Sequence, residues 1–311
     1  MRKLALIFSL LILIVLVSGC VQQKPGMPLP DTTSTVITGK TVISDSGIYI
    51  LDGDISCTLT AEDACIEIQA PDVTLDCQGH SITRANTDTR NAANIGIFVA
   101  GGGMEDMNAR NTVRNCRIEK FAIGIFLKTR YSNFLNNTIS NNGIGIYYDD
   151  YSSYNNFINN TVNDNNNRGV YLFMRSSNNT FTGNIIRNNG IYGIIITCAA
   201  YYNTFSNNVI ENNGYDSTSD DYGGGIDVLN AYANVFSGNR ICNNSKTIRC
   251  KFDAAMEGIN DMCIPQGDIH FVQADINAQE AGILVDGGGN ICESDSVSCD
   301  GTSISCNGGC L

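Results

Sequence analysis

Hydrophobic and polar residues alternate in short stretches along the middle of the chain, and the same stretches recur at a nearly constant distance. Each stretch has three to five residues with a period of two, which is typical of β-strands and too short for α-helices. Asparagine or glycine, which favour turns, separates the stretches. In one copy, residues 133–139 read NFLNNTI and residues 145–148 read GIYY. The pattern predicts a series of short strands joined by tight turns.

Two columns of identical residues define the repeat. In both columns, successive members are separated by 23, 24, 24 and 31 residues. The columns are Phe134, Phe157, Phe181, Phe205 and Phe236, and Asn137, Asn160, Asn184, Asn208 and Asn239. A unit of this length cannot bury its own apolar face, whereas stacked units can. We therefore expect an all-β solenoid, a parallel β-helix, in which coils about 4.8 Å apart form parallel sheets. The leucine spacing and helical segments of a leucine-rich horseshoe, the competing solenoid, are missing from the sequence.

The alternation also predicts where individual side chains point. Phe134, Ile139, Ile146 and Tyr148, with their equivalents in other coils, are expected to point inward. The asparagine column is expected at a corner, because asparagine tolerates left-handed backbone angles better than other non-glycine residues. Identical amides stacked coil over coil can also hydrogen-bond to one another.

Composition supports this fold and excludes several classes of protein. The 311 residues include 38 asparagines, 31 glycines and no tryptophan, a composition unsuited to helix interiors. Hydrophobic residues make up 43% and charged residues 16% of the chain, which excludes a disordered protein. The formal net charge of −12 opposes binding to phosphate backbones, so we expect no nucleic-acid partner.

The N-terminus has the pattern of an export signal. Two cations precede an apolar run over residues 4–17, which is shorter than the roughly 20 residues of a membrane span. The letters VSGC at residues 17–20 resemble the lipobox of prokaryotic lipoproteins, in which the cysteine is lipidated and becomes the new N-terminus. The resemblance implies a signal peptide at residues 1–19 and lipidation of Cys20. Residues 20–36 are mostly polar and contain three prolines, which predicts an extended tether. The alternative is an ordinary signal peptide or an uncleaved anchor. Acyl chains would hold the protein on the outer face of the cytoplasmic membrane or at the cell surface.

Cysteine usage agrees with export. Of the 13 cysteines, 12 remain when Cys20 is lipidated, an even number that fits disulfides in an oxidising compartment. The candidates chosen from proximity in the sequence are Cys57–Cys65, Cys292–Cys299 and Cys306–Cys310. The closely spaced CxxC pairs of a zinc site are missing from the sequence. We expect the β-helix to span residues 37–245 and residues 246–311 to form a Cys-rich C-terminal cap over its open end.

Three parts of the sequence resemble a known family. They are DVTLDCQGHSI at residues 72–82, NTVRNCRI at residues 111–118 and the asparagine- and glycine-rich repeats that follow. Over roughly residues 45–245, the chain resembles exported right-handed parallel β-helix proteins with carbohydrate-binding and sugar-hydrolase type repeats. These are often named after the copper-binding accessory protein of nitrous oxide reductase. The resemblance implies a right-handed helix but no single function, because lyases, hydrolases, adhesins and surface-layer proteins share this fold.

An outward-facing aromatic row is the candidate binding surface. The position two residues after the repeat glycine holds, in successive coils, Phe98, Phe126, Tyr147, Tyr171, Ile195 and Asp227. The first four would form a strip roughly 15 Å long at about 4.8 Å per coil. Such rings stack on successive sugars of a glycan, and Lys128 lies just beyond them in the sequence. The alternative is that the rings stack on each other and only stabilise the sheet.

An enzyme on the same face is the second hypothesis. A glycoside hydrolase needs two carboxylates, and Asp149 and Asp150 are the only adjacent pair on the repeat face. A polysaccharide lyase needs a base, and Arg130 and Arg175 fall in one column with Tyr151 between them. Neighbouring coils offer no third carboxylate at these positions, so we favour binding over catalysis.

Metal binding has two hypotheses, and no other cofactor is expected. Carboxylates that would bind calcium, or form a solvated acidic loop, cluster around one insertion in the repeat: Asp216, Asp220, Asp221 and Asp227. Copper delivery, which the family name suggests, would need clustered soft ligands or histidines. The two histidines, His80 and His270, are 190 residues apart in the sequence.

The sequence thus predicts an exported, lipid-anchored β-helix that binds a polysaccharide or cell-envelope glycan. A polysaccharide lyase or glycoside hydrolase on the same face is the alternative. A periplasmic copper-delivery protein is the second alternative.

Overall fold

The computed structural model of the protein is a solenoid of parallel β-sheets. It describes residues 33–60, 63–85, 94–101, 108–216, 223–229, 231, 233–245, 248–251, 284–286, 290–292, 296–299 and 302–305. All strands belong to the compact unit Ser34–Leu311. Among the described residues, no apolar helix reaches the length that a membrane span needs.

The strands are short, as the alternation predicts. They are β1 (Ser34–Ile37), β2 (Thr41–Ile43), β3 (Gly47–Leu51), β4 (Ile55–Cys57), β5 (Ala64–Ile68), β6 (Val73–Asp76), β7 (Ser81–Arg84), β8 (Ile95–Val99), β9 (Thr112–Arg114), β10 (Arg117–Glu119), β11 (Ile123–Leu127), β12 (Asn133–Leu135), β13 (Thr138–Ser140), β14 (Ile144–Tyr148) and β15 (Asn156–Ile158). They continue as β16 (Thr161–Asn163), β17 (Arg168–Leu172), β18 (Thr180–Thr182), β19 (Ile185–Arg187), β20 (Tyr192–Thr197), β21 (Thr204–Ser206), β22 (Val209–Glu211), β23 (Gly224–Leu229), β24 (Asn234–Ser237), β25 (Arg240–Cys242), β26 (Ile248–Lys251), β27 (Leu284–Asp286), β28 (Ile291–Cys292), β29 (Ser296–Cys299) and β30 (Thr302–Ser305).

Three parallel sheets run along the solenoid. Sheet 1 has the order β1-β3-β6-β9-β12-β15-β18-β21-β24-β27, sheet 2 the order β4-β7-β10-β13-β16-β19-β22-β25-β28, and sheet 3 the order β2-β5-β8-β11-β14-β17-β20-β23-β26. From β6 to β25, each coil contributes one strand to sheet 1, then to sheet 2, then to sheet 3. The separate β29–β30 pair is antiparallel. The predicted all-β parallel β-helix is therefore confirmed.

The core consists of side-chain columns in which equivalent residues lie directly above one another. The phenylalanine column of sheet 1 is in register, and its ring centroids are 4.4, 5.0, 4.9 and 4.8 Å apart along the column. The rings are nearly parallel, with interplanar angles between 7° and 16°. Ile139, Ile146 and Tyr148 are buried as predicted. These columns give each coil the apolar contacts that it cannot make alone.

Buried asparagine columns lie at all three corners of the coil. At the corner between sheets 1 and 2, Asn137 Nδ2 donates to Oδ1 of Asn160 at 3.0 Å and to the carbonyl oxygen of Val113 at 3.0 Å. The backbone N–H of Asn137 donates to the same Oδ1 at 2.9 Å. Equivalent bonds recur along each column. The columns are Asn137, Asn160, Asn184, Asn208, Asn239 and Asn290 at this corner, Asn142, Asn165, Asn189, Asn213 and Asn244 between sheets 2 and 3, and Asn155, Asn179, Asn203 and Asn234 between sheets 3 and 1.

The two reasons predicted for a corner asparagine apply to two neighbouring residues. Asn136 adopts a positive φ of 55° and is exposed, whereas its neighbour Asn137 is buried and is not among the residues with positive φ. Gly183 takes the place of Asn136 two coils later, with φ of 67°. The expectation that one asparagine fills both roles is wrong, because the residue that turns the chain lies at the surface while the next one bonds inside the corner.

The repeat glycine in sheet 3 is required by close approach between coils. A Cβ atom on Gly145 would lie 2.6 Å from the carbonyl oxygen of Gly169 and 2.7 Å from Cγ1 of Val162. The equivalent glycines in neighbouring coils, Gly124 and Gly193, meet the same kind of obstruction. Any larger residue at this position would push the coils or the core side chains apart.

The β-helix continues into residues 246–311, the region expected to be a cap. Strands β26, β27 and β28 extend sheets 3, 1 and 2. Asn290 accepts a hydrogen bond at 3.1 Å from Asn239 although 51 residues separate the two. The buried asparagine column therefore continues into a region where the regular spacing of the repeat in the sequence is lost.

Two disulfides join residues of the N-terminal coils, as is typical of exported proteins. Cys57, at the end of β4, is bonded to Cys65 in β5, and Cys77 is bonded to Cys116 in the next coil. Proximity in the sequence does not predict the second pair, because its partners are 39 residues apart. Cys198 and Cys242 each take part in a further disulfide. Among the other proposed cysteines, Cys292 and Cys299 lie on β28 and β29, and Cys20, Cys306 and Cys310 lie outside the described residues.

Candidate functional site

A row of four aromatic residues runs along the outer face of sheet 3. Phe98, Phe126, Tyr147 and Tyr171 are register partners in four successive strands, and each is partly buried. Their ring centroids are 5.1, 5.1 and 5.2 Å apart along the row. We call these four residues the aromatic strip.

The rings of the aromatic strip are turned relative to one another. The Phe98–Phe126 and Tyr147–Tyr171 pairs meet edge to face at interplanar angles of 84° and 75°. The middle pair is tilted by 32°. Phe173, which the sequence analysis did not single out, lies 5.4 Å from Tyr171 and 6.3 Å from Tyr147. The rings therefore stabilise one another and still present both edges and faces at the surface, so mutual stacking and ligand binding are compatible.

The aromatic strip ends at Tyr171. The next two positions in its column, Ile195 and Asp227, were expected to face outward, but they are only 4% and 1% exposed. Burial of the Ile195 side chain is favourable because this side chain is apolar. Asp227 has an interaction partner.

Arg168 flanks the aromatic strip, and the sequence analysis did not identify it. Its guanidinium carbon lies 4.6 Å from the centroid of the Tyr171 ring. Its Nε atom is buried without a hydrogen-bond partner in the part of the chain that the structure describes. Arg168 is in register with Ile144 in the preceding coil. The only signal in the sequence is therefore a cation at a position where the preceding coil has an aliphatic residue.

A charged pair lies on the other flank of Tyr147. Lys128 Nζ is 3.6 Å from Oδ2 of Asp149, and both side chains are about one-third exposed. Burial, together with the nearby Asp149 carboxylate, raises the pKa of Tyr147 to about 12. The Tyr147 hydroxyl is therefore protonated at neutral pH, when it can both donate and accept hydrogen bonds.

Asp150 is the most unusual carboxyl of this region. Burial raises its pKa above the ordinary value of 3.8, Asp149 adds to the rise, and Arg175 and Lys128 oppose it. Its Oδ1 atom is buried and has no hydrogen-bond partner within the described ranges. A carboxyl with a raised pKa beside an aromatic surface is a candidate for proton transfer.

Two arginines bracket Tyr151, as their sequence column predicts. Arg130 Nε donates to the carbonyl oxygen of Tyr151 at 3.2 Å, and the Arg175 guanidinium lies 5.1 Å from the centre of the Tyr151 ring. The structure therefore brings Lys128, the two aspartates and both arginines to the corner next to the aromatic strip. Both arginines are occupied with Tyr151, so a role as a catalytic base for either of them stays a prediction.

The two proposed calcium ligands that the structure describes differ in their exposure to solvent. Asp216 is exposed and Asp227 is buried, while Asp220 and Asp221 lie outside the described residues. No group of three or more metal-binding side chains occurs among the residues described. Calcium binding stays a prediction.

Comparisons with known proteins agree with the architecture. A family model described as "Right handed beta helix region" matches residues 29–210. This match covers more than half of the chain, which therefore belongs to the right-handed β-helix family. No curated protein matches the chain significantly.

Several solved structures resemble the fold. The periplasmic alginate epimerase AlgG is 16% identical with a TM-score of 0.45, and the similarity covers 67% of this chain and 48% of that one. The A-module of the Azotobacter vinelandii mannuronan C-5 epimerase AlgE4 is 13% identical with a TM-score of 0.43, covering 71% and 81%. The enzymatically active domain of bacteriophage CBA120 tailspike protein 2 is 11% identical with a TM-score of 0.42, covering 86% and 43%. The chain spans about half the length of the AlgG epimerase that it resembles.

Proposed function

We propose that this right-handed β-helix protein is an exported glycan-binding protein that holds a linear polysaccharide along the aromatic strip. The observation that carries this proposal is the unbroken contact of four partly exposed rings in four successive coils. Aromatic rows of this kind at a surface are unusual unless they bind something.

The spacing of the aromatic strip favours a periodic ligand. Its rings repeat every 5.1 to 5.2 Å, which is close to the length of one sugar in an extended polysaccharide. Each successive sugar would then meet one ring of the aromatic strip, by its face or by its edge. An extended peptide repeats at about 3.3 Å per residue and does not match this spacing.

Polar groups beside the rings supply hydrogen bonds to hydroxyl groups. The protonated Tyr147 hydroxyl both donates and accepts, and Lys128 and Arg168 donate from either side of the aromatic strip. The Arg168 guanidinium lies over the Tyr171 ring, next to where a sugar on that ring would place its hydroxyl groups.

Binding to a panel of soluble polysaccharides tests the proposal. The panel contains a neutral β-1,4-glucan, a mannan and a polyuronate, with affinities measured by calorimetry. The double variant Tyr147→Ala/Tyr171→Ala should lose affinity about tenfold or more, because two stacking surfaces are removed. Tyr215→Ala is the matched control, since Tyr215 is 65% exposed and lies outside the aromatic strip. Equal affinities of the double variant and the wild type would disprove the proposal.

Catalysis at the same surface is a second candidate, favoured by Asp150. A half-buried carboxyl with a raised pKa and an unpartnered oxygen fits a proton donor or acceptor in a hydrolase or lyase. Assays for new reducing ends and for unsaturated sugar products separate this candidate from simple binding. Product formation that disappears in Asp150→Asn would establish catalysis, whereas binding without product supports the first proposal.

We also propose that Cys20 anchors the protein to a membrane. The lipobox-like residues 17–20 support lipidation, and the disulfides in the β-helix agree with export. Two or more acyl chains hold a protein firmly on a bilayer, whereas one chain holds it only marginally. The wild type should incorporate a radiolabelled fatty acid and Cys20→Ser should not, and equal labelling of the two would contradict the anchor at Cys20.

A further inference from the structure

A second aromatic column runs along the corner that joins sheet 3 to sheet 1. Backbone N–H groups of Tyr131, Tyr154 and Asn178 donate to carbonyl oxygens of the following coil, at 3.3, 3.2 and 3.1 Å. These bonds place Tyr131, Tyr154, Asn178 and Tyr202 in one column, which we call the corner column. Its three tyrosines are 47%, 45% and 52% exposed, more than the members of the aromatic strip.

The tyrosines of the corner column adopt a backbone conformation that bulky residues avoid. Tyr131, Tyr154 and Tyr202 have φ values of 58°, 60° and 57°. Asn178 occupies the same column with φ of 57°, and asparagine tolerates this conformation far better. The turn alone would therefore favour asparagine or glycine at every coil. The turn itself does not require tyrosine, because Arg110 and Asn178 hold the same place in other coils with positive φ.

The arrangement of the rings shows what the corner column offers to a ligand. Tyr131 and Tyr154 are stacked with centroids 5.0 Å apart and an interplanar angle of 12°, so their facing surfaces cover each other. The ring edges and outer faces remain for a ligand. Asn178 follows in the next coil, about 4.8 Å farther along the axis, and interrupts the row of rings. Tyr202 lies beyond the gap and meets Tyr201 edge to face at 5.1 Å.

The corner column is separate from the aromatic strip. No ring of one is in contact with a ring of the other in the described part of the chain. Both columns run along the axis of the β-helix and share its coil spacing. Each therefore presents side chains at the coil spacing to a polymer that lies along the axis, and the phenol and amide groups of the corner column can hydrogen-bond to hydroxyls.

We propose that the corner column is a second glycan-binding surface, so that one molecule bridges two polysaccharide chains. The chemical class of the ligand rests on the proposed function of the aromatic strip. Two surfaces on one rigid solenoid would cross-link long chains, because each protein then joins two of them.

Replacement of two corner tyrosines by asparagine tests the inference. Asparagine is the residue that the fold itself uses in this column at Asn178, so Tyr131→Asn/Tyr154→Asn should fold and unfold at the same or a higher temperature. A purely structural role of the stacked pair predicts a lower unfolding temperature instead. The readouts are the number of hexasaccharides of β-1,4-glucan, mannan or polyuronate bound per protein, and the turbidity of mixtures with the long chains.

The wild type should bind two hexasaccharides and make long chains turbid, whereas the corner variant should bind one and leave them clear. The strip variant Tyr147→Ala/Tyr171→Ala should also bind one. A wild-type stoichiometry of one, or undiminished turbidity with the corner variant, would overturn the corner surface. No binding to any member of the panel, or two hexasaccharides on the strip variant, would overturn the proposed function of the aromatic strip instead.

Discussion

The side chain of Asn137 donates a hydrogen bond to Oδ1 of Asn160 at 3.0 Å, although 23 residues separate them in the chain. Asn160 in turn donates to the carbonyl oxygen of Phe134 and to Asn184. Each buried amide therefore joins three consecutive coils. The corner is dry and its polar groups depend on one another, which makes the column sensitive to a single substitution.

Asn160→Leu should destabilise the protein by about 3 kcal/mol, because the buried N–H of Asn137 loses its acceptor and the carbonyl oxygen of Phe134 loses a donor. Oδ1 of Asn184 keeps the backbone N–H of residue 160 as a donor. Chemical denaturation measures the change. Asn159→Gly is the control: Asn159 is exposed with φ of 55°, and its stability should change by no more than about 0.5 kcal/mol. Equal changes in the free energy of unfolding for the two substitutions would show that the asparagine column does not stabilise the corner.

Gly145→Ala should cost roughly 1–3 kcal/mol, because its Cβ would overlap the carbonyl oxygen of Gly169 and the side chain of Val162. Gly53→Ala is the matched control, since a Cβ there meets nothing within 4 Å. Thermal unfolding of both variants gives the comparison. A Gly145→Ala protein as stable as the Gly53→Ala protein would mean that the coils are farther apart than described.

Removing the Cys77–Cys116 disulfide should destabilise the protein more than removing Cys57–Cys65. The first closes a loop of 39 residues and the second a loop of 8. The conformational entropy that a disulfide removes from the unfolded chain grows with loop length. Paired alanine substitutions should therefore lower the free energy of unfolding by about 4 kcal/mol for the first disulfide and about 2.5 kcal/mol for the second. Denaturant midpoints of the two double variants test the order, and a reversed order would contradict it.

Asp150 should make the protein less stable as the pH rises. Its pKa is raised in the folded protein, so the folded state holds the proton more tightly than the unfolded chain. The resulting contribution to the free energy of unfolding is fully present below pH 3.8, the ordinary pKa of an aspartate. It is lost as the pH rises through the pKa of the folded state. Relative to Asp150→Asn, the wild type should therefore lose stability as the pH rises above about 4.

Asp72 provides the opposite control for this pH dependence. The Arg110 guanidinium holds the pKa of Asp72 below its ordinary value. The contribution of Asp72 to the free energy of unfolding is therefore present above the ordinary pKa and is lost as the pH falls. Unfolding curves of Asp150→Asn and Asp72→Asn between pH 2 and pH 7 should diverge from the wild type in opposite directions. Parallel curves would show that Asp150 titrates as an exposed carboxyl.

The candidate site was only partly predictable from the sequence. Register placed Phe98, Phe126, Tyr147 and Tyr171 in one row, because equal spacing forces equal positions on the coil. The same rule predicted Ile195 and Asp227 to be outward-facing, and it was wrong about their exposure. Register determines where a Cα atom lies, whereas burial depends on what covers it.

The amino-acid sequence by itself determined the all-β solenoid, the coil length and the inward columns, since a unit of this size buries its apolar face only by stacking. Only the tertiary structure decided which outward groups interact. Arg168 lies over Tyr171, Oδ1 of Asp150 is buried, and Tyr131 stacks on Tyr154 at a turn with positive φ. These contacts join side chains whose rotamers and corner conformations are set by neighbouring coils, and no local pattern of residues encodes them.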